Sequence, residues 1–221
     1  MNRLLLIHTA LENALAGISE GGEVKAWRCS PEQRDHAAFL HTAIDGLLKE
    51  TGLEAAELDA VAVVGGPGSY TGLRVGLSAA KGLCFALAKP LITLNTLEWM
   101  SLGVPPEKDT LRCPMIDARR SEVFTALFDA NGDCRMETRA LVLDEGSFRE
   151  ELNEGRVQFF GNGAAKWRER VDHPNAVFTD TASGMAELAH LAQKACESRS
   201  FTDLATSEPF YAKAFHSVPP R

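Results

Sequence analysis

Apolar positions come first in short runs and then at a longer period. Residues 3–9 (RLLLIHT), 14–19 (ALAGIS) and 23–28 (EVKAWR) read as three short strands, with Glu12-Asn13 and Gly21-Gly22 as the turns between them. Over residues 31–50 the period lengthens to about 3.6 residues, so that Ala37, Leu40, Ile44, Leu47 and Leu48 share one helical face, and Gly52 stands just beyond as a stop. The unbroken VAVV at 61–64 predicts a buried strand of the parallel type. A glycine-rich stretch, GGPGSYTGLRVG at 65–76, leads into a second helix that ends near Lys89-Pro90, and a strand at 91–94 and a short helix from Asn95 follow.

Beyond GVPPEKD, a Pro-rich charged link at 103–109, the order repeats. LRCPMIDA, SEVFTALF and CRMETRALVL predict three strands, then come a helix around 145–153, the strand RVQFF at 156–160, helices near 163–171 and 183–198, and a less regular tail. The halves share no visible sequence identity, yet both run βββαβα. This is an α/β chain, and by analogy of element order two such units describe the duplicated actin-like (ASKHA), ribonuclease-H-like fold. The expected lobes are residues 1–102 and 103–221, with the tail from about 200 packing back on the first.

The glycine-rich turn sits where a buried strand hands over to a helix, a place that often cradles phosphate on unpaired amides. A Walker loop would need a Lys that is absent here, and a dinucleotide fingerprint would need glycine where Thr71 stands. Two readings stay open: a tight structural turn, or a ligand cradle that draws on Gly66, Gly68 and Ser69. On a helical wheel the following helix gathers Gly76, Ala79, Ala80, Leu83, Ala86 and Leu87 on its core side and Arg74, Ser78, Lys81, Phe85 and Lys89 opposite, with Leu77 and Cys84 at the edge. Phe85 thus falls on the polar side, and Phe39 of the first helix lies off its core stripe near Thr42, Ala43 and Gly46. One stray aromatic is usually covered by its own chain. Two, each among small residues on neighbouring helices, point to a partner surface.

Composition narrows the function. Of 221 residues 45% are hydrophobic, and 23 Lys and Arg against 30 Asp and Glu leave a net charge of -7. Such a balance argues against a chain that holds nucleic acid by itself, but not against one that joins a complex with a basic subunit. The N-terminus reads as a strand and not as a secretory signal, no apolar run approaches the ~18 residues of a membrane span, and five cysteines show no C-x-x-C pair. A cytoplasmic protein is the expectation. His36 and His41 stand about 140° apart round a helix and cannot converge on a metal, no G-x-S-x-G elbow is present, and no metal site is expected. Asp117 ends a predicted strand, where α/β proteins place ligand chemistry, and could equally cap the turn that follows.

The runs GGPGSYTGLRVG at 65–76, MIDARRSEVF at 115–124, FGNGA at 160–164 and SEPFYAK at 207–213 together resemble the TsaB (YeaZ) family, placed among the M22 or glycoprotease-like proteins. The resemblance runs essentially end to end. It implies the duplicated actin-like fold and a non-catalytic subunit that binds and activates TsaD, which transfers threonylcarbamoyl to the adenosine beside the anticodon of tRNA. It further implies an ATPase partner, TsaE, self-pairing when the chain is alone, tRNA met only through the complex, and no cofactor in the isolated chain, with ATP or ADP bound in the complex. The partner face it implies lies on the two N-terminal-lobe helices, at Phe39, Thr42, Tyr70, Thr71, Arg74, Ser78, Lys81 and Phe85. Two departures stand out: Ile7-His8-Thr9 where the family usually has Ile-Asp-Thr, and Gly65 in place of a common Arg. The alternatives are an actin-like phosphotransferase that uses the glycine turn and Asp117, and an M22-type metallopeptidase.

Overall fold

The computed structural model describes residues 1–30, 36–180 and 183–213, so the first five positions of the first predicted helix, 31–35, lie outside the described residues. The chain divides into two compact units, residues 1–105 with 181–209 and residues 106–180 with 210–221.

The first unit carries β1 (Arg3–His8), β2 (Ala14–Glu20), β3 (Glu23–Ser30), α1 (His36–Thr51), β4 (Ala60–Gly66), α2 (Tyr70–Leu87), β5 (Leu91–Asn95) and α3 (Thr96–Leu102). Its sheet order is β3-β2-β1-β4-β5, antiparallel from β1 to β3 and parallel from β1 through β4 to β5. The strand with the unbroken apolar run, β4, is buried at every position, as a parallel strand covered on both faces must be. β3 is the outer strand, and Ala26 is its one buried residue.

The second unit carries β6 (Thr110–Asp117), β7 (Glu122–Phe128), β8 (Cys134–Val142), α4 (Arg149–Glu154), β9 (Arg156–Phe160), α5 (Ala164–Arg168) and β10 (Ala176–Phe178). Its order, β10-β9-β6-β7-β8, is the same sequence of pairings read from the other edge, again antiparallel among the first three strands and parallel through β9 to β10. The chain therefore has the duplicated actin-like fold, two copies of one topology. Phe148, Phe159, Trp167 and Phe178 pack edge-on or tilted at centroid distances of 5.3 to 6.1 Å in the core of this unit.

One element departs from the expected lobes. Helix α6 (Met185–Glu197) follows the second sheet in sequence but belongs to the first unit. Its stripe Met185, Leu188, Ala189, Leu191 and Ala192 is buried against β1, β3, β5 and α3. Gly17 of β2 makes room, because a Cβ there would stand 2.8 Å from the Met185 sulfur. Trp99 Nε1 donates to the Gly184 carbonyl at 2.9 Å. The segment after α6 stays on this unit as far as residue 209: Thr202 bridges Leu91 and its hydroxyl meets that of Thr93 at 2.7 Å.

The glycine-rich turn packs on the β1 end through bare backbone. A Cβ on Gly68 would lie 2.2 Å from the Ala10 carbonyl oxygen, one on Gly72 2.0 Å from that of Thr9, and one on Gly76 2.3 Å from Thr9 Oγ1. Thr9 Oγ1 donates to the Gly72 carbonyl at 2.7 Å, and Ser69 N donates to the Ala10 carbonyl at 2.7 Å. Just before this contact, His8 is buried with its ring 4.4 Å from that of Trp99, and its Nδ1 has no hydrogen-bond partner among the described residues. Burial, and secondarily the neighbouring His36, push its pKa down to about 3.

Two outcomes follow from these contacts. Gly72→Ala should cost about 3 kcal/mol, since backbone must move. Gly46→Ala, in α1 with open space around the added Cβ, should stabilise by up to about 1 kcal/mol, and urea unfolding of both variants separates close packing from helix propensity. His8 stays neutral in the folded chain while the unfolded chain takes up a proton below the ordinary 6.5, so the stability it permits is complete above that pH and is lost as pH falls toward about 3. The loss attributable to His8 is about 1.4 kcal/mol per pH unit, and unfolding curves of the wild type and His8→Leu across that range should diverge accordingly.

Candidate functional site

Helix α2 starts at Ser69, whose Oγ accepts from Gly72 N at 3.3 Å as its N-cap. It buries Gly72, Leu73, Gly76, Leu77, Ala80 and Cys84. That stripe is rotated from the one the wheel predicts: Leu77 and Cys84 point inward, Ala79 and Leu83 are half-buried, and Ala86 is exposed. Small residues line both sides of the helix, so its apolar pattern is blunt, and the glycine contacts with Thr9 and Ala10 decide the rotation. In α1 the buried set is His36, Leu40, Ala43, Ile44 and Leu47, while Ala37, expected in the core, is exposed.

The consequence is a shallow apolar groove of about 370 Å³ between the two helices, lined among others by Ala37, His41, Val75, Ser78, Gly82 and Leu83. Beside it along α2 stands Phe85, 81% exposed. Thr42, Thr71 and Ser78 are exposed, the Thr42 hydroxyl donating back to the Ala38 carbonyl at 3.3 Å. Tyr70 is exposed at the start of α2, with the Arg74 guanidinium 4.0 Å above its ring, a cation–π pair. Two of the expected face residues serve the unit itself. Phe39 is half-buried against the core cluster, and Lys81 Nζ donates to the Ser207 carbonyl at 2.9 Å. Sequence reasoning missed Ala37, Val75, Gly82 and Leu83 as groove residues. The sequence pattern places Ala37 and Leu83 on the core faces of their helices, and Gly82 only as a neighbour of Phe85.

Gly66, Gly68 and Ser69 lie at the mouth of α2, and the amides of Ser69 and Gly72 are committed to Ala10 and Ser69. Asp117 belongs to the second unit, at the end of β6. Its amide donates to Asn162 Oδ1 at 2.8 Å, and its carboxylate accepts from Lys166 Nζ and from the Arg119 amide. The Lys166 hydrogen bond, helped by that amide, holds its carboxyl below the usual aspartate range. The motifs at 115–124 and 160–164 thus meet in one lock around a carboxylate that is already paired, a poor general base. Among the described residues no three His, Cys, Asp or Glu side chains gather as metal ligands, and no helix is long and apolar enough to cross a membrane.

The family model described as TsaD, tRNA N6-adenosine threonylcarbamoyltransferase, matches residues 30–212. The tRNA threonylcarbamoyladenosine biosynthesis protein TsaB of Escherichia coli (strain K12) is 29% identical over 184 residues, 80% of this chain and 79% of that one. The protein of the same name from Bacillus subtilis (strain 168) is 33% identical over 96 residues, 43% of this chain and 42% of its own length. The solved structure of YeaZ from Pseudomonas aeruginosa superposes with a TM-score of 0.78 at 23% identity, covering 96% of this chain and all of that one, which shows the fold. The chain belongs to the TsaD family, and within it the likenesses that run the length of both chains are to TsaB (YeaZ) proteins.

Proposed function

We propose that this chain is a non-catalytic subunit required for forming threonylcarbamoyladenosine in tRNA, and that it binds and activates a TsaD-type threonylcarbamoyltransferase through the outer face of α1 and α2. The observation that carries the reading is the small-residue groove flanked by Phe85, 81% exposed. An apolar patch of this kind beside a large aromatic marks a protein contact. Its non-catalytic character is supported by the site chemistry: the Asp117 carboxylate is bonded to Lys166, and the turn's Ser69 and Gly72 amides are spent internally. The name carried by the E. coli and B. subtilis relatives supplies the pathway.

In this reading the chain works in the cytoplasm, pairs with a second copy when alone, and joins a TsaE-type ATPase in the assembly. It reaches tRNA only through that assembly, and ATP or ADP is held in the assembly and not by the chain alone.

Phe85→Glu should leave folding unchanged, because the side chain is exposed, and should weaken both self-pairing and transferase binding by on the order of 3 kcal/mol, about a hundredfold in Kd. Sedimentation and co-purification read this directly. A variant that still dimerises and still retains the transferase would show that the face is wrong. Co-expression of the wild type with its TsaD homologue should raise threonylcarbamoyladenosine above the transferase alone, and no rise would undo the function.

A further inference from the structure

The connection from β6 to β7 carries Arg119 and Arg120 with backbone φ of 69° and 52°. The left-handed region suits glycine or asparagine, because a Cβ there crowds the neighbouring carbonyl. The fold holds the pair in place nonetheless. The Arg119 amide donates to Asp117 Oδ1 at 2.6 Å, Ala118 N donates to the Glu122 carbonyl at 3.1 Å, and Glu122 N to that of Arg119 at 3.2 Å. Nothing in this turn needs a long cationic side chain. Both guanidiniums are exposed and neither forms an ion pair among the described residues.

The charges around them do not cancel. Lys166 neutralises Asp117, and Lys213 neutralises Glu122. Arg170 donates to neutral partners, the Leu143 carbonyl at 2.8 Å and the Ser121 hydroxyl at 3.2 Å. Arg119, Arg120 and Arg170 are therefore left as a cationic knot on a chain whose net charge is -7. We propose that this turn is a phosphate-docking point for RNA, at which Arg119 and Arg120 fork onto backbone phosphates of the tRNA when the chain is part of its complex. Guanidinium forks match phosphate oxygens bidentately, and a turn locked at its base places them in one register. In an acidic chain such a contact positions the RNA, and most of the affinity comes from the partner. The presence of RNA rests on the reading above.

The test compares tRNA binding by the assembled complex across a salt series for wild type, an Arg119→Gly/Arg120→Gly double variant and an Arg119→Lys/Arg120→Lys double variant. Glycine suits the backbone, so the first variant should melt no lower than wild type. It should bind tRNA on the order of tenfold more weakly, and the slope of log K against log salt should fall by about 1.5; the lysine variant should keep most of the slope. An unchanged affinity and slope would overturn the proposal. So would loss of a protein subunit from the glycine variant with RNA binding intact, which would assign the turn to an acidic protein surface. Failure of the wild-type complex to assemble is seen before tRNA is added and overturns the proposed function and this contact with it, whereas an assembled complex whose variants all bind tRNA alike overturns this contact alone.

Discussion

The approach of α2 to the end of β1, with no side chain between them at Gly68, Gly72 and Gly76, governs the first unit. Gly72 and Gly76 are four residues apart and so lie along one line of the helix, and Gly68 meets the same strand end from the turn just before it. Thr9 and Ala10 present carbonyls and a hydroxyl to that line at distances that no Cβ would tolerate. Once the contact forms, α2 has one rotation available. Leu77 and Cys84 go inward, and Ser78, Gly82, Phe85 and Ala86 go outward. The groove beside α1 is thus a by-product of backbone packing more than of hydrophobic sorting. A glycine motif that reads like a phosphate cradle also shapes a surface on the other side of the helix it begins.

The second unit repeats the topology but secures the corresponding strand end differently. There Asp117, at the end of β6, accepts from a lysine of α5 through its carboxylate and donates its backbone amide to an asparagine from the loop between β9 and α5. Asp117 is 41% exposed along its side chain, so the pair contributes little stability in water and salt weakens it further. Its value is geometric, since it ties α5 to the base of the arginine turn.

Much of this was legible in the pattern of residues. Long or strongly periodic segments declared themselves, and the repeated element order is the repeated sheet order. What escaped has physical causes. β10 is three residues long, too short for any period to show. Helix α6 is amphipathic, but nothing in its own sequence says which sheet it covers; the space left by Gly17 for Met185 does. Ala37 and Leu83 looked like core because the wheel weighs hydrophobicity alone, whereas the rotation was set by steric contact. Phe39 and Lys81 fell on the outward face of the wheel, yet a long side chain can bend back to its own unit, as both do. The strain at Arg119 and Arg120 was hidden because the turn lacks the residues that normally announce a left-handed backbone.

The return of residues 181–209 to the first unit has a consequence for synthesis. The ribosome delivers β1 to α3, then the whole of the second sheet, and only afterwards the helix that covers the first sheet beside Met185. Until then Gly17 and its neighbours stay open on a half-finished layer. During that interval the nascent first unit has both a raw sheet face and the outward α1–α2 groove, while the inserted unit can close its own core. The core of the inserted unit can thus close before that of the first, and the most aggregation-prone moment falls late in translation, when most of the length is already made.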